Sequence, residues 1–170
     1  MPNNLIPITI KGVMPTSNGC AVFLGTETKT FVIHMDPSMG HTLTMHLQHV
    51  QSERPLTHDL IGTIFLGLGI TLEHVIINKI ENATFFARII LTMRNELGTK
   101  VIELDSRPSD ALVLALQARK PIFIAHQVLE TVEDITDILA KLLEENRRKE
   151  QEDKEGNNQN NDDPNSPPLF

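Results

Sequence analysis

The fold of this chain is decided by the stretch Val101–Arg119, VIELDSRPSDALVLALQAR. Residues Val101–Leu104 are apolar except for one glutamate, and they predict a strand. Asp105–Asp110 then bring six polar or turn-forming residues together. Pro108 suits the first turn of a helix, because the N–H that it lacks would have no intrahelical partner there. The stretch therefore predicts a strand, a polar turn and the start of a helix.

The helix that follows this turn is apolar on all sides over Ala111–Leu116. A helix of this kind is usually buried, and a second apolar strand is predicted just after it, at Ile122–Ala125. The polar turn then lies at the N-terminal end of a buried helix. Two interpretations stay open: either Arg107 pairs with Asp105 or Asp110 in a helix cap, or the same side chains form a functional site.

The remaining apolar patterns predict an α+β domain. Alternating residues indicate a three-strand meander upstream and a hairpin of two long strands in the middle of the chain, at 5–14, 20–24, 30–35, 72–81 and 83–94. Helical spacing indicates helices at 37–50, from Thr57 onward, and after Val128. We predict one domain, residues 1–143, with a mostly antiparallel sheet of about six to seven strands and about three to four helices. A disordered acidic, Asn-rich tail is predicted at 144–170.

A second polar segment, RPLTHDL at Arg54–Leu60, stands at the start of a predicted helix. In one interpretation Thr57 is the N-cap, and Asp59 lies in the first turn, where the helix dipole favours negative charge. In the other, Arg54 binds phosphate, His58 acts as a general acid or base, and Asp59 orients the histidine or holds a metal. The residue types alone do not separate the two.

Histidines are frequent just before this segment. His46 and His49 are three residues apart and could share a helix face, so together with His58 they form a candidate metal site. No HExxH pattern accompanies them. A solvated or partly buried helix face is therefore the interpretation that the spacing favours.

The net charge of the chain bears on whether it can bind a polyanion such as nucleic acid. The net charge is −7 over 170 residues. Residues 1–143 hold 11 Lys and Arg against 14 Asp and Glu, whereas residues 144–170 hold 4 against 8. The body is thus mildly acidic, and no long-range attraction to nucleic acid follows. Any contact with nucleic acid must be local and transient, as with a substrate.

Cysteine usage and hydropathy bear on the location of the chain. Cys20 is the only cysteine, which excludes an intrachain disulfide and a cysteine-based zinc site. The first residues show no basic segment followed by a long apolar run, and no stretch reaches the roughly 20 apolar residues needed to span a bilayer. A cytoplasmic location without a membrane partner is expected, and homo-oligomerisation is left open.

Three blocks of the sequence resemble one known family. They are IELDSRPSDALVLAL followed by PIFIA, the RPLTHDL segment upstream, and VIINKIENATFFARIIL at Val75–Leu91. Together they are similar to the bifunctional nuclease (BFN) domain family. The resemblance implies an α+β fold with a mixed sheet and activity on both DNA and RNA. Relatives usually carry a Glu-Ala or Glu-Gly pair near the start of the first helix, where this chain has Met39 and Gly40, and that departure puts the activity of this chain in question.

Two functions of different classes remain. In the first, the chain is a nuclease whose Asp105 and Asp110 hold a divalent metal such as magnesium. Arg54, Arg107 and Ser109 then bind phosphate, while His58 and Asp59 belong with the two aspartates to the catalytic set. In the second, the chain is a non-catalytic binding or assembly module whose polar segments are helix caps. The first function requires the two polar segments to meet in the fold.

Overall fold

The computed structural model describes residues 4–96 and 98–158, except for the side chains of residues 150 and 152–158. The chain forms two compact units, Met1–Asp134 and Ile135–Phe170. The first unit contains the whole sheet and four of the helices. The second contains the last helix.

The first unit is built on a seven-stranded sheet. In sheet order the strands run β3-β2-β1-β7-β4-β5-β6. Every neighbouring pair is antiparallel except β4 and β7, which are parallel. The predicted mixed, mostly antiparallel sheet is therefore confirmed. The strands are β1 Leu5–Thr16, β2 Gly19–Gly25, β3 Thr30–Met35, β4 Ile70–Glu81, β5 Thr84–Asn95, β6 Gly98–Ser106 and β7 Ile122–Ala125.

The described residues form five helices, where three to four were predicted. They are α1 Pro37–Leu47, α2 Thr57–Gly67, α3 Pro108–Ala118, α4 His126–Thr131 and α5 Thr136–Asn158. The additional helix is the short α4, which is 6 residues long. None of the described helices has both the length and the apolar character needed to cross a membrane.

The helix α3 forms the centre of the core, as its composition predicts. Residues Ala111–Ala115 are all buried, and the helix packs against α1, α2, β4 and β5. It begins directly after β6, with Arg107 as the extended N-cap residue. It ends at Arg119, which adopts a left-handed conformation with φ 53°. The polar turn therefore lies at the N-terminal end of a buried helix, where the sequence places it.

The last helix, α5, extends further than the composition suggests. It continues to Asn158, so the predicted start of the tail at residue 144 falls inside the helix. Glu144 and Arg148, like Glu145 and Lys149, are opposite charges four residues apart, a spacing that supports a solvated helix. Residues 159–170 lie outside the described residues, and their disorder stays a prediction.

Candidate functional site

The start of α2 fixes the positions of His58 and Asp59. Leu56 is the extended N-cap residue and Thr57 is the first helical residue, so the predicted N-cap at Thr57 is wrong by one position. Asp59 reaches back, and its Oδ2 accepts a hydrogen bond of 2.7 Å from the backbone N of Leu56. A carboxylate three residues into a helix satisfies a free backbone donor in this way. Asp59 is therefore a capping residue of α2.

His58 joins the two polar segments. Its Nε2 lies 3.1 Å from Oδ1 of Asp110, although the two residues are 52 positions apart in the chain. The histidine belongs to the first turn of α2 and is buried where α2 packs against α3. The RPLTHDL segment and the polar turn before α3 therefore meet through one pair of side chains.

Arg107 extends this contact toward the solvent. Its Nε donates to Oδ2 of Asp110 at 2.7 Å, and its Nη2 donates to Oδ1 at 3.1 Å. The exposed fractions of the side chains are 68% for Arg107, 27% for Asp110 and 8% for His58. The three residues, which we call the Arg–Asp–His chain, thus run from the surface into the interior.

The electrostatics of the Arg–Asp–His chain keep Arg107 and Asp110 charged. Burial by itself raises the pKa of the Asp110 carboxyl, but hydrogen bonds and charge from Arg107 and His58 outweigh it, so the net pKa is lowered. The hydrogen bonds to Asp110, followed by its charge, raise the pKa of the Arg107 guanidinium. Asp110 is therefore an ionised hydrogen-bond acceptor at neutral pH and a weak base.

A cleft of about 390 Å³ opens beside Arg107. Arg107 and Ser109 line it from the start of α3, and His34 and Asp36 line it from the end of β3. Asp36 caps α1, because its Oδ1 accepts from the backbone N of Met39 at 2.9 Å. The hydrogen bond from Ser38, and then the one from Met39, lower the pKa of the Asp36 carboxyl, and the charge of Arg107 contributes further. The guanidinium of Arg107 thus acts on two carboxylates, Asp110 and Asp36.

The structure leaves four predicted site residues outside the Arg–Asp–His chain: Asp59 caps α2, Ser109 lines the cleft, and Arg54 and Asp105 do neither. Arg54 lies exposed in the loop before α2, does not line the cleft, and makes no hydrogen bond or ion pair among the described residues. Asp105 is exposed near the end of β6, opposite Arg88 on β5. In the described structure, residues 4–96 and 98–158, Asp105 makes no hydrogen bond and no ion pair with Asp110. Arg54 and Asp105 therefore have no geometric link to the proposed chemistry.

The metal site predicted at Asp105 and Asp110 does not fit this arrangement. In the described part of the chain no group of three or more His, Cys, Asp or Glu side chains is placed to hold a metal ion. Both carboxylate oxygens of Asp110 are engaged by Arg107 and His58. A cation at Asp110 would face the positive guanidinium at close range, which is unfavourable.

A second cavity, of about 540 Å³, lies at the other end of α3. His46 and His49 both line it, but His58 does not. The predicted shared helix face is wrong, because α1 ends at Leu47 and His49 follows it in a left-handed conformation with φ 55°. The cavity is also lined by Gln117, and the buried atoms His46 Nε2 and Gln117 Oε1 have no hydrogen-bond partner among the described residues. Gln117 carries no signal in the sequence, because a lone glutamine near a helix end forms no pattern.

Comparison with known proteins gives the family. The model of the bifunctional nuclease domain matches residues 22–136, which include the Arg–Asp–His chain. Two uncharacterised proteins of Mycobacterium tuberculosis, from strains CDC 1551 / Oshkosh and H37Rv, are each 35% identical to this chain over 97 residues. The match covers 57% of this chain and 55% of each relative, so the chain spans about half the length of the curated relatives that it matches.

Proposed function

Because the chain belongs to the bifunctional nuclease domain family, we propose that it hydrolyses phosphodiester bonds of DNA and RNA at the N-terminal end of α3. The observation that supports this proposal is the Arg–Asp–His chain, in which a carboxylate binds an exposed guanidinium on one side and an imidazole on the other. A phosphate-binding cation and a proton carrier held by one carboxylate are suited to phosphoryl transfer.

Each member of the Arg–Asp–His chain has a distinct proposed role. Arg107 binds a phosphate oxygen, helped by the nearby N-terminus of α3, which favours negative charge. Asp110 holds Arg107 in place and binds Nε2 of His58, which leaves Nδ1 of His58 to take up or release a proton. His58 is assigned the proton transfer because the lowered pKa makes Asp110 a weak base. Since His58 is buried, a substrate must displace covering side chains to reach it.

A non-catalytic role is the second candidate function. It is favoured by the burial of His58 and by the capping contacts, since Asp59 caps α2 and the Arg107–Asp110 pair lies at the start of α3. In that case the polar residues would only connect two helices of a binding or assembly module. Both candidates are compatible with the same structure, so an activity measurement has to separate them.

The decisive experiment compares the wild type with variants that remove the proposed proton carrier or the proposed phosphate-binding charge. Supercoiled plasmid and single-stranded RNA are digested by the wild type and by His58→Gln, whose amide still donates to Asp110 but cannot carry a proton. We expect the rate to fall about a hundredfold or more. Arg107→Gln is expected to reduce it about tenfold or more, because a charged phosphate contact is lost.

The matched control for Arg107→Gln is Arg94→Gln, which removes the same charge from an exposed position at the end of β5. It should leave the rate unchanged. Chelator is included in one arm, since dependence on a divalent metal such as magnesium stays a prediction. Equal cleavage by the wild type and His58→Gln would favour the non-catalytic role.

We place the activity in the cytoplasm, in line with the single unpaired Cys20.

A further inference from the structure

The cavity of about 540 Å³ at the C-terminal end of α3, which we call the α3 cavity, is lined by two residues that carry unpartnered polar atoms. Nε2 of His46 and Oε1 of Gln117 are buried, and neither makes a hydrogen bond with any residue that the structure describes. A buried polar atom without a hydrogen bond destabilises a fold. Two of them beside one cavity therefore indicate that a bound molecule completes their hydrogen bonds.

The amide of Gln117 has a place made for it beside α2. A Cβ built at Gly62 would lie 2.6 Å from Nε2 of Gln117, so a larger residue at position 62 would displace the amide. Oε1 of Gln117 and Nε2 of His46 are covered by neighbouring atoms. The terminal torsions of glutamine and histidine are broad, so a small rotation turns either polar atom toward a molecule in the α3 cavity.

The size and lining of the α3 cavity suit a small molecule. Sites for small ligands have volumes of roughly 300 to 1,000 Å³, and they combine an apolar lining with a few polar groups that fix the orientation of the ligand. Met45, Val50 and Leu116 supply apolar residues here, and His46 and Gln117 supply polar ones. The α3 cavity thus has the composition of a binding site.

The charged residues of the lining disfavour an anion. Glu53 and Asp59 bring two negative charges and Arg119 brings one positive charge, a sum of −1 when the histidines are neutral. A ligand with a phosphate or carboxylate group would meet this negative charge at close range. Oε1 of Gln117 only accepts hydrogen bonds, so the ligand must donate one. The cavity therefore selects an uncharged hydrogen-bond donor.

A nucleobase meets these requirements. A glutamine amide presents an acceptor and a donor in one plane, and it pairs with adenine through the exocyclic amino group and the neighbouring ring nitrogen. Nε2 of His46 donates or accepts according to its tautomer, so it can pair with a second polar atom of the base. The apolar residues of the lining suit the faces of the ring.

We propose that the α3 cavity binds an uncharged nucleobase or nucleoside. An N–H group of the base donates to Oε1 of Gln117, and a second polar atom of the base pairs with Nε2 of His46. This inference does not depend on nuclease activity, because no member of the Arg–Asp–His chain lines the α3 cavity.

Isothermal titration calorimetry and thermal denaturation of the full chain test the proposal, with adenine, adenosine and adenosine monophosphate as probes. Adenine and adenosine at millimolar concentration should bind and raise the melting temperature of the wild type. Adenosine monophosphate should bind about tenfold or more weakly than adenosine, because its phosphate meets the negative lining. Gln117→Met should abolish binding, and His46→Leu should weaken it about tenfold or more.

The matched control is Gln48→Met, which makes the same change at an exposed residue that does not line the α3 cavity. It should bind adenosine like the wild type. Without ligand, Gln117→Met should melt about 3 °C or more above the wild type, because a side chain of similar shape replaces an unpartnered polar group.

Four outcomes would overturn the proposal. They are a lower melting temperature of ligand-free Gln117→Met, which would mean that the amide is already bonded in the fold, full binding by Gln117→Met, tighter binding of adenosine monophosphate than of adenosine, and no binding of adenine or adenosine by the wild type.

Discussion

At the scale of single residues, Gly40 shows how tightly α1 packs against the sheet. A Cβ built at Gly40 would overlap Sγ of Cys20 and lie 2.7 Å from Cβ of Cys20. Cys20 is buried on β2, so it has little room to move. The small residue that follows Met39 in this chain is thus required by the side chain of Cys20.

We predict that Gly40→Ala lowers the free energy of unfolding by about 1 to 3 kcal/mol, because the added methyl group overpacks the contact with Cys20. Urea denaturation measures the change. Gly67→Ala is the control, since Gly67 is also helical but a methyl group added there would meet no atom within 4 Å. It should stabilise the chain or leave it unchanged. In a Cys20→Ala background the loss caused by Gly40→Ala should shrink, and an undiminished loss would place the strain elsewhere.

Residue chemistry alone predicted part of the site. The pairing of Arg107 with an aspartate follows from their spacing at the start of a helix, and the structure selects Asp110 over Asp105. Asp105 is the last but one residue of β6, where it is exposed and lies opposite Arg88 of β5. For His58 and Asp110 the sequence predicts only that their two polar segments meet. It does not predict the contact itself, because a pair 52 residues apart depends on how the helices pack.

At the scale of elements, composition and periodicity predicted the helices and strands better than their exact ends. The core position of α3 follows from its apolar sequence. The parallel pairing of β4 with β7 cannot be predicted from local sequence, because it depends on the crossover through α3. The N-cap of α2 was predicted one residue late, since Thr57 is the better capping residue by type. Asp59 decides the start of the helix by reaching back to Leu56.

We predict that Asp59→Ala lowers the free energy of unfolding by about 1 kcal/mol, because α2 loses a capping hydrogen bond and a favourable charge in its first turn. Thermal and urea denaturation measure the effect, with the exposed Glu53→Ala as a control of equal charge. Nuclease activity per folded molecule should stay at the wild-type level, since Asp59 makes no hydrogen bond to the Arg–Asp–His chain in the described structure. A large loss of activity at unchanged stability would return Asp59 to the catalytic set.

At the scale of the whole molecule, Asp110 connects the packing of α2 and α3 to pH. Its carboxyl has a lowered pKa in the folded chain, since bonds and charge from Arg107 and His58 together outweigh burial. A lowered folded pKa means that the ionised form stabilises the fold. This contribution is complete above the unfolded pKa of about 3.9 and is lost as the pH falls through the lower folded value.

We therefore predict that the wild type melts at a higher temperature than Asp110→Asn at pH 7, and that the difference shrinks as the pH is lowered below about 4. Differential scanning calorimetry across this range measures it. Asp105→Asn is the matched control, because Asp105 is exposed and makes no hydrogen bond or ion pair within the described residues. Its melting temperature should follow the wild type at every pH. A difference between wild type and Asp110→Asn that is the same at pH 7 and pH 3 would mean that the ionised carboxylate does not hold α2 to α3.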